Sequence, residues 1–471
     1  MKKMPIVGPT YDQMLSPWKI DEKIRKKALE MKEKDPLHPI NLYNINWRNA
    51  QDRIYHFVLP PEITGVKANI VVMYAKEFPS GSHKVGPTYS VLIEKAASGE
   101  VDPESHQLIW PSTGNYGVGG AWVGSRMNYD SIVLLPEEMS KERFELIEKY
   151  GAKSIATPGC ESNVKEIYDK AKELYNENPE KVRVLNQFES FGNYRFHEYV
   201  TGNTMIELVK EESIGNMGIA AVALTVGSAG TIASGDRVKK AFPQAKIIAG
   251  EPIQCPTLSL NGYGGHDIQG IGDKHVTWIH NVMNMDGVVQ MDDMDCKKML
   301  QVISSDVGKA YLKEFADDEL VEFISDKLGI SGVANIIAAI KTAKYYDLQE
   351  GDNVLTVATD SIERYHSVME DMVKEFGPLT KEECKHRHER IFLHQEPSYF
   401  FEGDMNNRNR WHNLKYYTWI EQQGKTVEEL NDQKYQEYWV GEANKVHEID
   451  EVIKKYIADH EKELKAALDL E

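Results

Sequence analysis

The chain has 471 residues, 41% hydrophobic and 27% charged, with a formal net charge of −18 at pH 7. That length supports a large buried core divided over two or three domains. The acidic balance argues against a nucleic-acid partner, which needs clustered Lys and Arg, and no apolar run reaches the length of a membrane span.

Residues 1–66 are polar and hold one basic helical segment, KIDEKIRKKALEMKEKD, and an aromatic stretch, INLYNINWRN. The N-terminus MKKMPIVGPTYDQ has no apolar core after its lysines, so no signal peptide is expected. From about residue 67 short β-branched runs alternate with amphipathic stretches. NIVVMYA, HQLIW, DSIVLLP, AKSIAT, VRVLNQF, MGIAAVALTVG, AKIIAGEP and NVLTVATD read as strands. SKERFELIEKYG, NVKEIYDKAKELYNE and ANIIAAIKTAKYYD read as helices between them. This alternation predicts an α/β fold with largely parallel sheets. The strands are too many and too spread for one sheet of moderate size, so two α/β domains are expected. From about residue 370 the chain turns charged and aromatic and ends in a long helix, EVIKKYIADHEKELKAALDLE. The four cysteines, Cys160, Cys255, Cys296 and Cys384, lack CxxC spacing, so neither a zinc site nor a disulfide framework is indicated. His386 and His388 lie two apart, which does not place them on one helix face. They are read as a solvated basic patch rather than a metal site. A reduced, cytoplasmic protein is the expectation.

Ligands of α/β sheets bind beyond the carboxyl ends of the strands, so glycine-rich turns after strands are the places to search. Three such turns occur. PSGSHKVG carries the single lysine Lys84 at the end of a buried strand, where an ammonium is costly unless it is paired or reacts. WPSTGNYG packs Ser112, Thr113, Gly114 and Asn115 into a tight turn. LTVGSAGTIASGDR ends a strand in Gly227, Ser228, Ala229, Gly230 and Thr231 before a helix, and small residues at such a place bind phosphate. A Walker loop fails, because Asp236 stands where its lysine belongs; a GxGxxG fingerprint begun at Gly117 fails at Trp122. A phosphate cradle, a reactive lysine and a turn rich in hydroxyl and amide groups suit pyridoxal phosphate. This cofactor needs an imine-forming amine and N–H donors for its phosphate. The bland alternatives are an ordinary turn lysine at 84, a bare connector at 227–231 and a simple helix cap at Ser331.

The motifs together resemble the fold-type II pyridoxal-phosphate enzymes, most closely the cysteine synthase and cystathionine β-synthase group. SGSHK, STGNYG, NQFESFGNYRFHEYVTGNTMIEL, VGSAGTIASGDRVKKAFPQAKIIAGEP, GHDIQGIG, GISGVANIIAAIK and DSIERYHS follow in the family's order over roughly residues 67–370. The resemblance implies two open, twisted, mainly parallel sheets flanked by helices. It also implies a core of two interleaved α/β domains over 67–370, the smaller about 110–200, an N-terminal extension over 1–66 packing on the core, and a mostly helical C-terminal extension over 371–471. It implies that Lys84 forms the imine and acts as base, that Gly227, Ser228, Ala229, Gly230 and Thr231 hold the phosphate, and that Asn115 bonds the phenolic oxygen. Ser112, Thr113 and Gln187 would receive the substrate carboxylate, and Ser331 would face the pyridine nitrogen.

The activity implied is β-replacement or β-elimination on a small amino acid through an aminoacrylate, by a homodimer. Alternatives are the catalytic β-subunit of a two-component enzyme cleaving or thiolysing amino-keto acids, docked to a small partner, and a non-catalytic cofactor-binding regulator. The chain departs from the cysteine synthase pattern in His83 before the lysine, in Val85 and Gly86 after it, and in GSAGT for GTGGT. The tail aromatics Trp411, Tyr416, Tyr417 and Trp419 are read as packing or interface surface, with closure over the site as the lesser alternative.

Overall fold

The eight apolar runs all become strands in the computed structural model, which describes residues 3–112, 114–160 and 162–470. In chain order the strands are β1 (His56–Leu59), β2 (Asn69–Tyr74), β3 (Gln107–Pro111), β4 (Asp130–Pro136), β5 (Lys153–Thr157) and β6 (Val182–Val184). They continue as β7 (Ala221–Thr225), β8 (Lys246–Pro252), β9 (Gly287–Met291), β10 (Asn353–Ala358) and β11 (Phe400–Glu402). The helices that matter below are α1 (Glu22–Lys34), α2 (Val85–Ala97), α3 (Asn115–Arg126), α4 (Lys141–Lys149), α5 (Val164–Glu177), α6 (Ser234–Ala241), α7 (Ile330–Tyr345) and α8 (Gln436–Asp459).

Two sheets form. The larger has seven strands in the order β1-β2-β10-β7-β8-β9-β11, and the smaller has four in the order β5-β4-β3-β6. Every pairing is parallel except the two at the edges of the larger sheet, β1 on β2 and β11 on β9. The expected mixed α/β architecture with two mainly parallel sheets is therefore what the chain adopts.

The continuous apolar runs of the central strands follow from burial on both faces. Alternate side chains point to opposite sides of a strand. On β2, Val71 and Met73 enter one core while Ile70 and Val72 enter the other. On β7, Val222 and Leu224 part in the same way from Ala221 and Ala223. Helix α7 covers one face; its Ile336, Ile337 and Ile340 are buried with the alanines of that face. Small residues on β7 let this helix sit close to the sheet.

The termini are built into the molecule. β1 and β11 are the two edge strands of the large sheet, and at 4 and 3 residues they leave only short edges. Phe400 of β11 stacks on Tyr345 with ring centroids 3.8 Å apart. The carboxylate of Asp450 on α8 accepts from the N–H groups of Tyr11 at 2.7 Å and Asp12 at 3.0 Å, tying tail to head. Trp411 and Trp419 are fully buried, which is core packing, whereas Tyr417 is 74% exposed. The solvated patch expected around His388 is corrected. Its ring is fully buried, with Nε2 2.8 Å from the Ile63 carbonyl and Nδ1 3.2 Å from the Tyr311 hydroxyl. Only His386 of the pair is exposed.

Among the described residues no single helix is long and apolar enough to cross a membrane.

Candidate active site

Lys84 sits at the N-terminal end of α2, just past the β2 strand end, where the chain turns through Ser80 (φ 64°) and Gly81 (φ 72°). Its carbonyl accepts from the Thr88 N–H and hydroxyl, both at 3.0 Å. Helix α3 lies against it so closely that a Cβ at Gly119 would stand 3.1 Å from the Lys84 carbonyl. The backbone under the lysine is therefore fixed from two sides. Its Nζ lies 3.2 Å from Ser228 Oγ and 3.4 Å from Gln187 Oε1. Residues expected to serve as amine, phosphate loop and substrate contact thus meet at one atom.

The turn after β7 forms the opposite wall. Ala229 adopts φ 60°, a left-handed turn that points successive N–H groups the same way. The N–H groups of Gly227, Ser228 and Ala229 have no acceptor within the chain among the described residues. Such donors in a buried loop call for a ligand or water. A Cβ at Gly230 would fall 2.0 Å from Asn193 Oδ1, so only glycine fits there. Asn193 in turn donates to Ser228 Oγ and to the Gln187 carbonyl, both at 3.0 Å, and its own Oδ1 is buried without a partner.

The cavity between these walls is lined by Lys84, Asn115, residues 227–231, Gly270, Ile271, Asn335 and Thr359, with His83 at its side. Asn115 Nδ2 donates to Asp360 Oδ2 at 2.7 Å, while Asn115 Oδ1 and Asp360 Oδ1 are buried and unpartnered. Asp360 also accepts from Tyr365 at 2.7 Å and lies 3.6 Å from the guanidinium of Arg143, both partners fully buried. His83 Nε2 stands 3.2 Å from Thr231 Oγ1. Burial, with the Lys84 charge nearby, pushes His83 down to about 3, so the ring is neutral at ordinary pH. The opposite effect acts on Asp273, whose carboxyl burial raises to about 7 against the pull of Lys84.

The remaining expected residues are placed less directly. Ser331, in the first turn of α7, is buried and pairs with Thr359 Oγ1 at 2.7 Å; it is Thr359 that lines the cavity. Ser112 spends its hydroxyl on its own loop, accepting from Gly114 N at 2.9 Å and Gly117 N at 2.7 Å and donating to the Gly114 carbonyl. Thr113 lies outside the described residues. Sequence reasoning passed over Asn193, Asn335, Thr359, Asp360 and Asp273. All five stand in or beside the motif stretches, but such polar residues leave no spacing signature of their own. The rejected Walker position, Asp236 on α6, is a buried acceptor for Tyr194, Asn281 and Asn284.

These features fit pyridoxal phosphate. Unsatisfied N–H groups face a phosphate-sized turn, an amine stands 3.2 Å from the turn's serine, and orphaned amide and carboxylate oxygens border the same space. Residues 62–360 match the family model described as pyridoxal-phosphate dependent enzyme. A cysteine synthase from Staphylococcus aureus is 30% identical over 301 residues, which is 64% of this chain and 88% of that protein. The O-acetylserine sulfhydrylase isoform 3 of Entamoeba histolytica has a similar structure at 25% identity. The match has a TM-score of 0.59 and covers 74% of this chain and 99% of that one. A hydrogen sulfide-producing enzyme from Fusobacterium nucleatum matches with TM-score 0.57 and 25% identity, over 66% of this chain and 95% of that one. The chain belongs to the pyridoxal-phosphate dependent enzymes of the cysteine synthase type.

Proposed function

We propose that the protein catalyses β-replacement or β-elimination on a small amino acid bearing a leaving group at Cβ. The observation that carries this reading is the meeting of Lys84, Ser228 and Gln187 at the mouth of the glycine turn. When bound, the cofactor supplies an aldehyde that takes an amine as an imine and a conjugated ring that accepts the electron pair left at Cα. The chain does the rest. Lys84 holds the cofactor and, once released by the incoming amine, takes the proton from Cα. Gly227, Ser228, Ala229, Gly230 and Thr231 anchor the phosphate through N–H groups and hydroxyls at a helix start. Asn115, with Asp360 behind it, borders the phenolic oxygen; Gln187 and the Ser112–Thr113 loop receive the substrate carboxylate.

Ser331 would serve the ring nitrogen together with its partner Thr359, whose hydroxyl lines the cavity. A hydroxyl there does not enforce a protonated ring as a carboxylate would. That limits delocalisation from Cα and favours departure of the Cβ substituent. Neutral His83 packs beside Thr231 and adds no charge to the phosphate turn. The comparisons favour neither the two-component nor the non-catalytic alternative, and a homodimer is the assembly proposed.

The test is turnover by purified holoenzyme of O-acetylserine, serine, cysteine and threonine, each with and without sulfide. Release of the Cβ substituent from at least one of them is expected. Cofactor-loaded protein that releases it from none overturns the reading.

A further inference from the structure

We propose that the cleft behind the Lys84 turn is a second ligand site, built for a phosphate group, free or carried on a small metabolite. The inference goes beyond the reaction proposed above and does not depend on it. Two adjoining cavities of about 510 and 400 Å³ share Lys76, Ser80, Lys149 and Tyr150 as walls. Both volumes fall in the range of small-molecule sites, roughly 300–1,000 Å³. Neither cavity shares a residue with the one at Lys84. Three parts of the chain meet here: the end of α1, the Ser80–Gly81 turn that leads into Lys84, and the end of α4 in the small-sheet unit. Arg364, four residues after Asp360, lines the cleft as well.

The acids of the cleft are spent. Glu142 accepts from the Ser367 N–H and hydroxyl, both at 2.9 Å. Glu363 pairs with Lys76 at 2.9 Å, Glu145 with Lys141 at 3.2 Å, and Glu77 with Lys327 at 2.9 Å. Asp35 takes the Leu37 N–H at 3.1 Å. The donors are not spent. Arg364 is 3% exposed; its Nη2 donates to the Ser80 carbonyl, while its Nη1 is buried without a partner. Ser80 Oγ is likewise buried and unpartnered. Arg126 stacks on Trp122 at 5.7 Å, and its Nη1 too is buried without a partner. Among the described residues the Tyr150 hydroxyl and the exposed Lys149 ammonium have no hydrogen-bond or ion-pair partner. Burial raises the Tyr150 phenol against the pull of the Arg364 and Arg126 charges, so both guanidinium groups act at this one ring. Buried donors without acceptors are rare in a folded chain and call for an acceptor from outside it.

The missing partner is a negatively charged group that only accepts. A phosphate offers several oxygens to donors arriving from different directions, and the planar guanidinium fork matches it. A neutral ligand would leave the charges of Arg126 and Lys149 unanswered. The two cavities hold more than one phosphate, which favours a group carried on a small organic body, with Phe78, Trp122 and Tyr150 lining the remaining space. Such an occupant joins Lys149 and Arg126 of the small-sheet unit to Ser80 and Arg364 on the large-sheet side. Ser80 stands four residues before Lys84, and Arg364 four after Asp360, the partner of Asn115. A ligand here therefore braces both segments from behind the active site.

The experiment is isothermal titration calorimetry of the holoenzyme, whose own phosphate turn the cofactor fills, with inorganic phosphate and with ADP at constant ionic strength. Expected are one site per chain and tighter binding of ADP than of phosphate. Each affinity should fall by about 10-fold or more in Lys149→Ala and in Arg126→Gln. Lys153→Ala, which removes an exposed charge outside the cleft, should leave both affinities unchanged. Saturating ADP should also raise the urea midpoint of wild type by more than that of either cleft variant. Phosphate binding as tightly as ADP, and weakened by the same two substitutions, supports the site with free phosphate as its ligand. No binding of either probe up to about 10 mM overturns the inference. So does binding that Lys149→Ala and Arg126→Gln leave unchanged, or that Lys153→Ala weakens equally.

Discussion

The two sheets face the same cleft but are built differently. In the large sheet β7 and β10 are buried at every residue, and α7 is buried at all but its last turn. In the small sheet β5 has one buried residue in five, and α5 is amphipathic, with Val164, Ile167, Tyr168 and Ala171 inward. The large sheet carries the phosphate turn and the lysine; the small sheet carries the Ser112 loop. What joins them near the site is polar. Arg143 of α4 reaches Tyr365 at 3.0 Å and Gln269, beside Asp360. Cofactor anchoring thus rests on the more deeply buried sheet; the lighter unit with the Ser112 loop shares an apolar core with it, in which Val71 and Val222 meet Leu108 and Val133, and adds these buried hydrogen bonds near the site.

The largest effect that sharpens this contrast is chemical. Lys84→Ala should lower kcat by about 1,000-fold or more while the fold persists, measured by steady-state kinetics and circular dichroism. Retained turnover would break the assignment of the lysine to the large-sheet wall. Next comes the joint. Asp360→Ala leaves the buried Arg143 guanidinium without its carboxylate and should cost about 3–5 kcal/mol, read from urea unfolding. Trp419→Ala tests whether the tail belongs to the same core. The indole is fully buried and donates to the Val276 carbonyl at 2.8 Å. A loss of about 3–5 kcal/mol is expected, and a loss under about 1 kcal/mol would make the tail an appendage.

A smaller effect concerns acid. Buried His280 has its folded-state pKa depressed to about 3, so the folded protein binds fewer protons than the unfolded chain below the ordinary value of 6.5. Its contribution is present above pH 6.5 and is lost as pH falls toward 3. His280→Gln should flatten the stability–pH curve between about pH 6 and 4 by about 1.4 kcal/mol per pH unit. Tyr417→Ala, at an exposed ring, should change stability by no more than about 0.5 kcal/mol.

Much of the large-sheet wall was legible in the sequence, because burial on both faces writes long apolar runs and phosphate turns concentrate small residues. All eight runs became strands, and Lys84, Asn115 and 227–231 line one cavity. β1, β9 and β11 were missed. β1 offers only HFVL and β9 only GVVQM, and β11 is three residues whose pairing depends on a partner more than 100 positions away. His388 was misread because charged neighbours in KHRHER suggest solvent, while Ile63 and Tyr311, distant in sequence, bury it. Asp360 opens the DSIERYHS motif but meets Asn115 and Arg143 only on folding, and Asp273 stands just outside a motif, so neither was singled out.

The central claim is that Lys84 is the residue to which the cofactor is joined. The direct measurement is borohydride reduction of the purified holoenzyme followed by peptide mapping. The account predicts a single reduced cofactor adduct on the peptide containing SGSHK, at Lys84, and its absence from Lys84→Ala. An adduct on another lysine, or cofactor-saturated protein that yields none, would contradict it.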